Sequence, residues 1–359
     1  MAVTAADGIL SFGAQTAKDT VSATYYQHRA SDINLGILSD DRIGPPEIGG
    51  ISVPTIPYRA GVMAAGGATL NPRLEDTFGW LLHGAVGAVT STADENVFGT
   101  ADTGYVHHEF TLPTPSTALP YMTFRKHVPG LVSGDELGEV YENCKITSLA
   151  FMLPNDGLIQ ARVDVLGTAE DTQYSDPTGW SYENTLMEDY QSIPIGSVVG
   201  GYLQVPDYSG TDLPVTQARA ILSNTPLPPA EEKNFGSPYL DAVTIVNRAF
   251  AIDMILKWRD QDLYRSIITG STTATQWTAA VWEEDLDIFM VSPADISGLA
   301  NPYACRIEAA SVMYRVAGLA LSGQDAISLR VVGTAIAPVS GEYVTIHLGN
   351  EVTNYTWPT

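Results

Sequence analysis

The densest group of side chains able to do acid–base chemistry is Glu283-Glu284-Asp285-Leu286-Asp287, set within Val281 to Met290. Read as a strand, the segment puts Trp282, Leu286, Ile288 and Met290 on one face, with Glu284 as an exception, and Glu283, Asp285 and Asp287 on the other. A glycoside-cleaving pair needs two carboxylates converging across a cleft. Carboxylates in a row along one strand face repel each other instead. Glu283, Asp285 and Asp287 are therefore read either as a solvated strand face or as the wall of an acidic channel. A sugar-cleaving pair has no other support in the sequence.

The remaining candidates are sparse. The six histidines stand at 28, 83, 107, 108, 127 and 347, and only His107 and His108 are adjacent. Neighbours on an unbroken strand point to opposite faces, so this pair cannot grip one metal ion. Cys144 and Cys305 have Ile and Leu neighbours and read as small core residues rather than nucleophiles. The sequence has no phosphate-cradling Gly-x-x-x-x-Gly-Lys, no Gly-x-Ser-x-Gly elbow, no His-Glu-x-x-His and no Cys-x-x-Cys. We assign no catalytic, cofactor-binding or metal-binding residue and expect a protein that is not an enzyme.

Most segments that would position such side chains read as strands. Val106, His108, Phe110 and Leu112 alternate with Tyr105, His107, Glu109 and Thr111. Lys145 to Leu153, the turn Pro154-Asn155-Asp156-Gly157 and Leu158 to Gly167 predict a hairpin. Two segments predict helices: Pro72 to Gly84, with Asn71 as N-cap and Gly84 as the stop, and Asp260 to Thr269, ending at Gly270. Residues 1–50 read as an extended arm, and the proline-rich 171–235 as a connector.

Bulk composition narrows the class of function. Of 359 residues, 45 % are hydrophobic and only 16 % charged, which fits either a surface partly covered by partners or a plain β-protein rich in Thr, Ser and Gly. Acidic side chains outnumber basic ones 41 to 18, a net charge of −23 that repels nucleic-acid phosphates and anionic membranes. Two cysteines fit a reducing cytoplasm. Neither a signal peptide nor an apolar stretch near the ~20 residues of a membrane span is read.

The two predicted helices align without a gap. Arg73, Asp76, Phe78, Leu81, Leu82 and Gly84 match Arg259, Asp262, Tyr264, Ile267, Ile268 and Gly270. Further on, Tyr141 to Ile146 resembles Pro302 to Ile307, and Val163 to Ala169 resembles Leu329 to Ala335. Three matches in one order point to a tandem duplication, with domains at 51–170 and 236–359.

The succession of pieces is similar to that of major tail proteins, the tail tube proteins of long non-contractile phage tails. The pieces are Leu70-Asn71-Pro72-Arg73 into Trp80-Leu81-Leu82-His83-Gly84, Tyr105 to Pro113, Tyr141 to Leu149 with Cys144, and Val344 to Tyr355. They cover most of 50–170 and 240–356. The resemblance implies a mainly β fold, an antiparallel sandwich with a flanking helix. It implies sheets of neighbouring subunits joined around a lumen that houses a tape-measure protein and conducts DNA without binding it specifically. Expected partners are further copies of the chain, the tape-measure protein, and tail-terminator and baseplate proteins, with no membrane. Duplication predicts a ring of three chains with pseudo-sixfold symmetry, the alternative being six. An acidic lumen lined by Glu283, Asp285 and Asp287 is expected. The rival readings are another virion tail component, such as a baseplate or tail-completion protein, or a β-sandwich polysaccharide hydrolase.

Overall fold

A computed structural model describes residues 8–45, 48, 50, 53, 56–112, 119–131, 134–170, 173–183, 201–205, 213–259, 261–276, 281–296, 301–320, 327–338 and 341–356. Among them the chain is mainly β, with eighteen strands and two α-helices. The strand ladders run antiparallel.

Alternating burial builds the largest layer. In Gln160–Gly167 (β10) and Ser328–Ala335 (β17) every second residue is buried, as in Ile245–Lys257 (β14) from Phe250 onward. These strands belong to a sheet with eight strand positions. At one edge Ala30–Ile33 (β3) and Gly36–Ile43 (β4) lie end to end along Pro57–Leu70 (β5). The order continues through β10, Leu137–Pro154 (β9), Val215–Pro226 (β13), β14 and β17 to Pro302–Ala320 (β16) at the far edge.

The two longest strands, β9 and β16, leave this sheet partway and enter smaller ones. The first part of β9 lies between Met122–Val128 (β8) and Gln173–Ser175 (β11), with Ile9–Ala14 (β1) and Tyr26–His28 (β2) beyond β8. The first part of β16 lies between Glu283–Asp295 (β15) and Thr345–Asn350 (β18). Tyr202–Gln204 (β12) flanks β15, while Ala101–Thr111 (β7) and Ala88–Glu95 (β6) follow β18. At the bend of β9, Asn143 adopts φ +53° and is fully buried. Its Oδ1 accepts from Gln15 Nε2 at 3.1 Å and the Asp19 backbone N–H at 2.8 Å, and its Nδ2 donates to Asp19 Oδ1 at 2.8 Å. An amide side chain tolerates the left-handed region better than a branched one.

Helix α1, Phe78–Val86, is buried along its whole length among the layers. A Cβ on Gly79 would lie 2.2 Å from the Tyr355 ring, and one on Gly84 would lie 2.5 Å from Met122 Sδ. Both glycines serve close packing. The cap is Gly87, at φ +103°, whose N–H donates to the His83 carbonyl. The helix therefore starts later than predicted, and its stop is Gly87, three residues beyond Gly84. Helix α2, Asp262–Thr269, ends at Gly270 as read, at φ +74°. Asp260 lies outside the described residues.

Three further expectations need correction. Within the expected extended arm, the described residues 8–45 include β1, β3 and β4, which are laddered into sheets, and Leu10 and Phe12 lie in the core rather than outside it. Residues 184–200 and 206–212 of the expected connector lie outside the described residues, but β13, read as part of it, is an interior strand of the large sheet. The Cys144 and Cys305 segments agree on one side and differ on the other. Cys144 pairs with Met122 of β8 and Gly167 of β10, and Cys305 pairs with Met290 of β15 and Leu348 of β18.

Candidate functional site

The acidic run of β15 does not form a wall of three. A register shift between Glu284 and Leu286 breaks the alternation. Glu283 is exposed and accepts from the Ser311 hydroxyl, Asp285 is half-buried, and Asp287 is buried. Arg306 clamps Asp287 with two bonds, Nε to Oδ1 at 3.0 Å and Nη2 to Oδ2 at 2.8 Å, and Tyr202 donates to Oδ2 at 3.0 Å. Arg306 also pairs with Glu308. Burial and the Asp287 carboxylate push the Tyr202 phenol up to about 12. Asp287 thus ties three strands together.

The adjacent histidines diverge as alternation demands. His107 Nδ1 meets Glu95 Oε1 at 2.7 Å, its Nε2 meets His347 Nδ1 at 2.8 Å, and His347 Nε2 meets Glu308 Oε2 at 2.8 Å. The row gives each of the four ring nitrogens of the two imidazoles a hydrogen-bond partner. It joins β6, β7, β18 and β16, and nothing local in the sequence announces it, because His107 and His347 are 240 positions apart. His108 faces the other way, to Ser91 Oγ at 2.8 Å and Asn350 Oδ1 at 3.0 Å, and burial lowers it to about 4. Among the described residues no group of three or more His, Cys, Asp or Glu side chains could hold a metal ion. Both thiols are fully buried. Burial raises Cys144 far above the ordinary thiol range and Cys305 to about 12, so neither is set up as a nucleophile.

What the fold leaves open is a surface and two edges. One face of the eight-position sheet packs on the core. On the other, register aligns Asp32, Leu38 and Asp40 with Met63, Thr69, Arg162, Asp164, Arg219, Asp253, Arg330 and Arg315 across the sheet. Its charges are largely paired. Arg162 bridges Asp164 and Asp32, Arg330 is paired with Asp253, and Arg219 stands opposite Asp253. The two outer strands each lack one neighbour among the described residues. Strands β3 and β4 pair only with β5, and β16 beyond Met313 pairs only with β17. Leu38 is 51 % exposed on the first edge.

Among the described residues the long sheet thus has a buried face, an open face of largely matched charges and two edges to which a further strand can pair. The family comparison agrees: the chain belongs to the phage tail tube protein family, whose model matches residues 5–335. It is a structural component of the virion tail that self-assembles into a tube with other tail components. No curated protein matches it.

Proposed function

We propose that this chain closes into rings that stack coaxially around a lumen, and that the lumen holds the tape-measure protein during assembly and later passes DNA. The observation that carries this is the eight-position sheet with an open edge on each side, in a member of the tail tube family. Closure of such a sheet into a ring leaves no edge unpaired. Tail-terminator and baseplate proteins would then meet the end rings. The chain does no catalysis in this reading, and it is made and assembled in the host cytoplasm.

The wall of the lumen is then the uncovered face of the large sheet. Strand β15 stands outside that sheet, so we withdraw Glu283, Asp285 and Asp287 as lining residues and put Asp32, Asp40, Asp164, Asp253, Arg162, Arg219, Arg315 and Arg330 in their place. On that wall Arg162 and Arg330 are already held by carboxylates, which leaves them less available to phosphates.

We further propose tandem sets in each chain and three chains per ring. The order β3/β4, β5, β10, β9 is repeated by β13, β14, β17, β16, and each set has a helix directly after its second strand. Strands about 4.8 Å apart and tilted by roughly 40° put twenty-four positions on a circle about 48 Å across, and forty-eight on one about 96 Å across. The smaller circle already admits several helices of about 10–12 Å each. Electron microscopy of the purified chain at high concentration should show tubes with threefold rings, each holding six similar sectors. Monomers under every condition would refute the tube reading, and a strict sixfold ring would refute the count.

A further inference from the structure

We infer that the β3–β4 edge of one chain pairs antiparallel with the β16 edge of the next, in a register already written inside the molecule at the joint between β13 and β9. This rests on the tube reading above and specifies its partner and contact residues.

The internal joint is a ladder in which Leu222 stands opposite Leu149 and Ser223 opposite Ser148. Leu222 and Leu149 are 2 % and 0 % exposed. The outer strands of the sheet are the same positions of the two sets, and the ladders fix their equivalence. Leu70 and Leu256, the last buried residues of β5 and β14, stand opposite Ala161 and Leu329. That register superposes Arg162 on Arg330 and Val163 on Val331. It sets Ala161, rather than the Val163 of the sequence match, in the place of Leu329.

Working outward, Leu222 pairs with Phe250, and Ile37 pairs with Ala64, the equivalent of Phe250. Ile37 is therefore the counterpart of Leu222, and Leu38 that of Ser223. On the other side Leu149 pairs with Val163, and Val316 pairs with Val331. Val316 is the counterpart of Leu149. Ser148 and Arg315 correspond in the same way, through Asp164 and Val332. Transferred between chains, the joint sets Ile37 opposite Val316 and Leu38 opposite Arg315.

Burial tells the same story independently of register. Leu222 and Leu149 are sealed at the internal joint, but their counterparts Ile37 and Val316 are only half-buried, although both pack on the core. They have what an inner-sheet residue needs except the neighbouring strand. The occupant that supplies it is a second copy of this chain, because each edge is the structural counterpart of the strand that the other edge's counterpart already binds.

The test uses the full chain carrying Ile37→Cys and Val316→Cys, assembled and then treated with a mild oxidant. The native thiols are buried and do not interfere. Directly opposed Cβ atoms about 4.5–5.5 Å apart lie near disulfide reach. The expected result is an interchain ladder on a non-reducing gel that ends at the number of chains in one ring. The offset pair Leu38→Cys with Val316→Cys, whose side chains point to opposite faces, should give no ladder. Tubes without a ladder overturn the joint and leave the tube reading standing, whereas neither tubes nor ladder overturns both. A monomer with an internal disulfide overturns the joint too, since the sheet would then close on itself. A second pair of variants guards against misfolding. Leu38→Lys puts like charges opposite Arg315 and should need a higher protein concentration to assemble than Leu38→Glu, with the melting temperatures of the two monomers unchanged. Equal assembly by both would overturn the register.

Discussion

Arg306 is held by Asp287 on one side and Glu308 on the other, with side chains that keep 18 %, 8 % and 39 % of their exposure. Replacing Asp287 with Ala leaves a half-buried guanidinium one partner short and takes the acceptor from Tyr202. We expect a loss of about 3 kcal/mol in urea unfolding of the monomer. Buried titrating groups make a second prediction with opposing signs. His108 falls from 6.5 to about 4 and His28 to about 3, both through burial, so the unfolded chain binds more protons below pH 6.5 and stability is lost on acidification. Burial raises Glu75 from 4.5 to about 7, so its contribution is full below pH 4.5 and is lost as pH rises through 7. Two histidines outweigh one carboxyl, and the chain should melt lower at pH 4.5 than at pH 7. Glu75→Gln should steepen that acid loss, whereas His108→Gln should shallow it, in melting curves taken across the range. A shallower curve for Glu75→Gln would contradict the assignment. None of these environments was legible in the sequence. Glu283 and Asp287 look alike in a string of acids, and only the approach of Tyr202 and Arg306 separates an exposed carboxylate from a clamped one.

Strands were legible where alternation was clean, as in β7, β10 and the hairpin after Lys145. The helix end at Gly87 was not, because Gly84-Ala85-Val86-Gly87 offers two stops and the choice lies with Met122 and Ile146, which leave no room for a Cβ at Gly84. Gly84→Ala should therefore destabilise by about 1–3 kcal/mol through overpacking. Gly87→Ala should cost roughly 1–2 kcal/mol through its positive φ. Thermal unfolding of the two variants checks both, and an unaffected Gly87→Ala would remove that residue as the cap. The register of the two strand sets was also beyond local matching. Gly167-Thr168-Ala169 and Gly333-Thr334-Ala335 look equivalent letter by letter, yet the ladders put them two residues out of step. Buried parity is kept by a shift of two, so hydrophobic pattern alone cannot expose it.

For the whole molecule, the family and the mainly β architecture were readable from the order of short pieces. The interlacing of the halves was not. The boundaries read at residues 170 and 236 are crossed by the β9–β13 and β7–β18 ladders and by Tyr355, whose hydroxyl donates to the Asp76 carbonyl at 2.5 Å. Isolated halves cut at those points should therefore not fold separately. Circular dichroism and amide exchange on 1–170 and 236–359 should show weakly protected chains, and two independently melting fragments would refute this.

The pairing of β18 with β7 also sets a timetable for synthesis. β7 is finished about two-thirds of a chain before its partner, and the row from Glu95 to Glu308 stays incomplete until His347 has left the ribosome. A nascent chain therefore carries unpaired strands through most of its translation, the state in which β-rich chains are prone to aggregate. A chain that stops before Thr345 lacks β18, and so leaves β7 and the first part of β16 without the strand that joins them.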